Sequence, residues 1–180
     1  DDRYARDLLS RRYITGSGTP ITDGTQQMQV RHECLIAGTQ IQTSQGLKAI
    51  ETLRVGDMVA SVDIRTGEST YQAIVQTSKR TVESGSQRVT LSNGETLHCT
   101  GGHLWWVVDK GWTRTRDLQK GDLIHGALDS VEVQSVEEFA SAVEVYNCIV
   151  DQNHNYLVGQ SRILSWDVTE LRPTLNTTLV

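Results

Sequence analysis

The chain has 180 residues, with 17 Lys and Arg against 22 Asp and Glu and a formal net charge of −5. That is enough for one domain with a buried core, with or without tails. The acidic balance and scattered basic side chains (Lys79-Arg80, Arg114, Arg116) exclude the basic face of a nucleic-acid binder. No apolar run approaches the roughly 20 residues of a membrane span, so neither nucleic acid nor a membrane is an expected partner.

Residues 1–33 differ in texture from the rest. Asp1–Tyr13 is charged, with Tyr4, Leu8 and Leu9 at helix-like spacing, and Gly16–Pro20 and Asp23–Thr25 carry turn chemistry. This predicts a short helix or a disordered arm, then a flexible approach to Cys34. The start at Asp1, with neither Met nor a signal-peptide pattern, points to a piece cut from a longer polypeptide.

From Cys34 onward the texture is all-β. Short runs rich in Val, Ile, Thr, Tyr and Leu, cut by Gly, Asp and Asn, predict strands at Gln40–Thr43, Met58–Val62, Gln72–Lys79, Arg88–Leu91 and Thr96–Thr100. Further strands are predicted at Trp105–Val108, Asp122–His125, Val131–Val136, Val143–Val150 and Tyr156–Val158. Turns are marked at Asp63–Gly67 and Ser92–Glu95, the second by an Asn93-Gly94 hairpin signal.

An internal repeat runs through these strands. Gly46, Leu53, Gly56 and Asp57 recur 65 residues later as Gly111, Leu118, Gly121 and Asp122. A constant offset with matching chemistry predicts two related halves about a pseudo-twofold axis. Each Leu should anchor a short turn in the core, and each Gly-Asp should start a strand after a tight bend. Two copies are too few for a solenoid, so one compact β domain is expected.

Three cysteines (Cys34, Cys99, Cys148) cannot all pair, and neither they nor the five dispersed histidines have zinc-ligand spacing, so no metal or other cofactor is expected. Cys99 and Cys148 read as core residues, and His32, His98 and His125 as surface residues. Cys34 is a candidate nucleophile because Thr100-Gly101-Gly102-His103 stands behind it. A thiol can attack the carbonyl of the preceding residue, here Glu33, if the departing Cys34 nitrogen is protonated and the oxyanion finds a place. His103 is the candidate proton donor and Thr100 the candidate orienting group, with two glycines allowing both to approach one amide.

These motifs, in the order Cys34–Thr39, Ile50–Asp57, Thr100–His103, Trp112–Asp122, Val145–Asn147 and His154–Tyr156, resemble the Hint superfamily, the self-processing domain of hedgehog proteins and inteins. The nearest likeness is to bacterial intein-like and polymorphic-toxin Hint domains. The resemblance covers residues 34–167 and implies a pseudo-twofold, horseshoe-like all-β fold. It divides the chain into an upstream arm (1–33), a self-processing domain (34–167) and a short tail (168–180). It also implies that Cys34 forms the thioester, that Thr100 and His103 assist it, and that His154 assists a C-terminal step at Asp167–Val168.

At that end the chain departs from the family. Trp166 stands where a His belongs and Asp167 where an Asn belongs, and Val168 carries no nucleophile. Indole cannot exchange a proton as imidazole does, and Asp167 could release Val168 only slowly, through an anhydride. The expected activity is therefore single-turnover self-cleavage at Glu33–Cys34, without splicing, in a monomer whose substrate is its own upstream chain. Water, or a small thiol or amine, would resolve the thioester. The alternative is a degenerate Hint fold serving as an interaction or spacer module. A released toxin would need a domain after Asp167, where 168–180 follow, and sterol transfer would need a lipid-recognition region after the Hint core.

Overall fold

A computed structural model describes residues 34–167 and Thr169. The expected arm at 1–33, including His32 and Glu33, and the tail at 168–180, including Val168, otherwise lie outside the described residues.

The described chain is built from short antiparallel strands. They are β1 (Leu35–Ile36), β2 (Gln40–Thr43), β3 (Gly46–Ala49), β4 (Met58–Asp63), β5 (Glu68–Val82), β6 (Ser86–Leu91) and β7 (Thr96–Thr100). Then follow β8 (Leu104–Val107), β9 (Gly111–Arg114), β10 (Leu123–Ile124), β11 (Val131–Phe139), β12 (Val143–Val150), β13 (Asn155–Val158) and β14 (Ile163–Trp166). They form one sheet in the order β10-β11-β6-β7-β1-β12-β5-β4-β2-β13-β14-β8-β9; β3 flanks β2, and β10 also pairs with β8.

The long strands let the sheet turn corners. The first part of β5 pairs with β4, from Asp63↔Glu68 to Met58↔Ala73, and its remainder with β12, from Val150↔Ile74 to Val143↔Val82. In the same way β11 begins against β10 at Val131 and Glu132, then runs along β6 from Val133. One strand in each half thus serves two partners, as two related halves require.

The repeat has a physical basis in two matched turns. Ile50–Thr52 and Thr115–Asp117 are single 3₁₀ turns, closed by Leu53 N–H to Ile50 O and Leu118 N–H to Thr115 O. Leu53 and Leu118 are buried. Gly56 and Gly121 adopt φ of +98° and +95°, a region open chiefly to glycine. The carboxylates of Asp57 and Asp122 each accept a backbone N–H three residues earlier, from Arg54 and Gln119, both at 2.9 Å. For Asp57 that bond, with Lys48 nearby, holds the carboxyl below the usual range despite some desolvation.

The main core is filled by Leu35, Ile41, Val59, Ile74, Leu91, Trp105, Ile124, Val133, Val150, Tyr156 and Ile163, with Cys99 and Cys148 among them. One surface assignment needs correction. His98 is half-buried, its ring 5.0 Å from Phe139 and its Nε2 3.0 Å from Ser86 Oγ. The cause is that β11 extends beyond Val136 to Phe139 and covers it. His125 is exposed, as expected.

Candidate functional site

Cys34 immediately precedes β1, the strand that pairs with both β7 and β12. It packs outside the main core, against Val82 and Val145, and is 1% exposed. Leu35↔Cys99 sets the register, which brings Cys34 level with Thr100 at the end of β7. The two residues exchange bonds: Cys34 N–H donates to Thr100 Oγ1 at 3.0 Å, and Thr100 N–H donates to Cys34 O at 2.9 Å. The nitrogen at the Glu33–Cys34 junction is thereby fixed against the threonine hydroxyl.

A turn carries the chain from Thr100 to His103, whose N–H donates to Thr100 O at 3.1 Å. Within it, a Cβ on Gly101 would stand 3.3 Å from Arg116 Nε and 3.4 Å from Gly85 O. Glycine is what lets these neighbours close in. Arg116 then donates to Gly101 O from both its backbone N–H (2.9 Å) and its Nε (3.2 Å).

His103 is completely buried and its ring is held on two sides. Trp105 lies 4.9 Å away, ring centre to ring centre, and Ser165 Oγ is 2.6 Å from Nε2. Its carbonyl accepts the N–H and the hydroxyl of Thr115, each at 2.8 Å, while Trp105 Nε1–H donates to the same hydroxyl oxygen at 2.9 Å.

Thr115, Ser165, Trp105 and Arg116 carry no candidate role in the sequence reading above. A signal for Thr115 exists in the repeat. At the 65-residue offset its counterpart is Ile50, also buried, so the second half puts a hydroxyl where the first has only hydrocarbon.

Cys99 and Cys148 lie in the core as read. Burial pushes the Cys99 thiol up to about 12, and burial with the Asp167 charge pushes Cys148 well above the ordinary thiol range. Both are held as inert thiols. No disulfide joins the three cysteines. Among the described residues no three His, Cys, Asp or Glu gather as metal ligands.

The other candidates meet just past the end of β14, two residues beyond Ser165. Asp167 is fully buried, its Oδ2 2.8 Å from Val150 N and 3.2 Å from His154 Nδ1, and its Oδ1 2.7 Å from Thr169 N. Asp167 N–H also donates to His154 O at 2.9 Å. Burial disfavours the charged imidazole, but the Asp167 carboxylate, helped by Asp151, outweighs it and holds His154 above the usual histidine range. Trp166 is buried edge-on against Trp112, with its indole N–H donated to Thr169 O at 3.1 Å. Cys34, Thr100 and His103 thus form one group and His154 and Asp167 another, and Ser165, two residues before Asp167, is in contact with His103.

The sequence profile of the pretoxin HINT domain matches residues 40–167, most of the chain. The chain belongs to this family. A bacterial intein-like domain from Clostridium thermocellum is 29% identical, with a TM-score of 0.72, over 76% of this chain and 99% of that one. A DnaB intein from Synechocystis is 16% identical with a TM-score of 0.66, over 74% of this chain and 97% of that one, a likeness of fold alone. No curated protein matches by sequence. The HINT chain is therefore an intein-like domain with the expected all-β, pseudo-twofold architecture.

Proposed function

We propose that this HINT domain cleaves its own chain at Glu33–Cys34. The Cys34 Sγ attacks the Glu33 carbonyl carbon, a C–S bond forms, and the C–N bond to Cys34 breaks. The thiol proton is taken up as the nitrogen leaves as an amine, with His103 as the group that carries it. Water, or an external thiol or amine, then attacks the thioester and frees the upstream segment, while Cys34 recovers its thiol.

The observation that carries this reading is the reciprocal pair of bonds between Cys34 and Thr100, with His103 one turn away. An amide nitrogen held by hydrogen bond in a water-poor site loses little orientational freedom on the way to the transition state. The burial of Cys34 among Val82 and Val145 supports an internal acyl shift over attack by bulk water at the amide.

Splicing is not part of this reading. The Trp166 indole is committed to Thr169 O, and the Asp167 carboxylate is occupied by two backbone N–H groups and His154. A carboxylate so stabilised is a weak nucleophile toward its own carbonyl, so release at Asp167–Val168 is expected to be slow. The same burial of Trp166 and Asp167 favours the second reading, a HINT fold kept as an interaction or spacer module. That module would leave the chain intact and Cys34 inert to alkylation.

The test is the rate of cleavage in the 180-residue chain and in Cys34→Ala and His103→Ala variants. Loss of the fragment beginning at residue 34 in both variants supports the roles given. Undiminished cleavage in His103→Ala sinks the assignment of the proton carrier.

A further inference from the structure

A buried line of polar groups runs from β12 to His103, and the direction of its protons can be read from one end. Cys148 N–H donates to Asn147 Oδ1 at 2.8 Å. A backbone amide can only donate, so that side-chain atom is the amide oxygen and not the nitrogen. Tyr156 Oη lies 2.8 Å from the same oxygen and must therefore donate its proton to it. Burial, with the neighbouring Cys148 and Asp167, holds the phenol well above its usual range and keeps that proton in place.

Tyr156 stands directly opposite Ser165 in the β13–β14 ladder, and with its own proton committed to Asn147 it has none to give Ser165. The other neighbour of the Ser165 hydroxyl is the Trp166 carbonyl at 3.1 Å, which can only accept. The single Ser165 proton is thus taken by the Trp166 carbonyl. The Ser165 oxygen turns lone pairs toward His103 Nε2, 2.6 Å away. In the reverse arrangement, with Ser165 donating to Nε2, its lone pairs would face the Trp166 carbonyl oxygen with no proton between them.

We infer that Ser165 is a positioning residue that holds His103 as the Nε2–H tautomer. The other ring nitrogen, Nδ1, is then the atom that takes and returns a proton at the Glu33–Cys34 junction. This consequence rests on the cleavage reading; the tautomer itself does not.

The test separates the two. In the 180-residue chain carrying Cys34→Ala, which cannot start the reaction, ¹⁵N NMR of labelled histidine reports which ring nitrogen of His103 bears the proton. The expected result is Nε2–H in that parent, a shift toward Nδ1–H on adding Ser165→Ala, and retention of Nε2–H with Ser165→Thr. An Nδ1–H ring in the parent, or an unchanged Nε2–H ring with Ser165→Ala, overturns the inference. Where Ser165→Ala fails to fold, the parent's tautomer decides alone.

In the chain with Cys34 intact, Ser165→Ala should slow cleavage about 10²-fold, the scale of a lost acid–base group, and Ser165→Thr should restore it. The expected tautomer shift in a chain that never cleaves supports the positioning role and counts against the cleavage reading.

Discussion

The carbonyl of His103 receives two bonds from one residue, the N–H and the hydroxyl of Thr115, each at 2.8 Å. The hydroxyl oxygen in turn accepts from Trp105 Nε1, whose indole packs on the His103 ring. Thr115→Val keeps the shape but removes the hydroxyl's bonds with His103 O, Trp105 Nε1 and Cys99 Sγ and leaves the buried indole N–H without this acceptor, a cost of about 1–3 kcal/mol. Urea unfolding should register that loss, and Thr115→Ser should recover most of it. An unchanged midpoint in Thr115→Val would contradict the clamp.

Thr100 bears on the reaction more than on the fold. Thr100→Val removes the oxygen that accepts Cys34 N–H while leaving the backbone bond to Cys34 O. Cleavage at Glu33–Cys34 should fall about 10²-fold, and Thr100→Ser should fall far less, as followed by gel or mass over time. Equal rates in the Val and Ser variants would remove Thr100 from the mechanism.

How far these features were legible in the sequence depends on what each strand buries. The repeat was readable because its turns need particular residues: a Leu to fill the core and a glycine at positive φ. Strands with one buried face, such as β2, β7 and β12, matched their expected bounds. The edge strands β3 and β9 were not foreseen, because residues such as Gly46 and Arg114 lie at exposed margins and lack an apolar alternation. Strand β14 was missed for the opposite reason: Ile163–Trp166 is buried on both faces and shows no period. Cys34, Thr100 and His103 stood out by their order in the chain. Ser165 and Tyr156 did not, since a lone serine or tyrosine in an apolar run carries no spacing signal until the strands are paired.

The two halves should respond alike to loss of their anchors. Leu53 and Leu118 are each 6% exposed and cap equivalent 3₁₀ turns. Replacing either with Ala should cost about 2–5 kcal/mol by denaturant unfolding, the range for a buried leucine. A large cost at one and none at the other would argue against structural equivalence of the repeats.

The pair formed by His154 and Asp167 gives a pH dependence of known sign. The folded-state pKa of His154 is raised by Asp167, so the charged ring is favoured in the native state. The stability from this pair is complete below the unfolded-state pKa of about 6.5 and is lost as pH rises through the higher folded-state value. Unfolding midpoints measured from mildly acidic to mildly alkaline pH should decline across that window in the parent and flatten in His154→Gln. An identical decline in both proteins would place its origin elsewhere.

A thioester leaves a chemical record at Glu33. Incubating the intact 180-residue chain with a small thiol, then weighing the products, should yield residues 34–180 and residues 1–33 carrying the added thiol at their C-terminus. Cys34→Ala should yield neither. A chain that keeps its full mass with Cys34 present, or is cut at this bond equally well without Cys34, would contradict self-cleavage through Cys34.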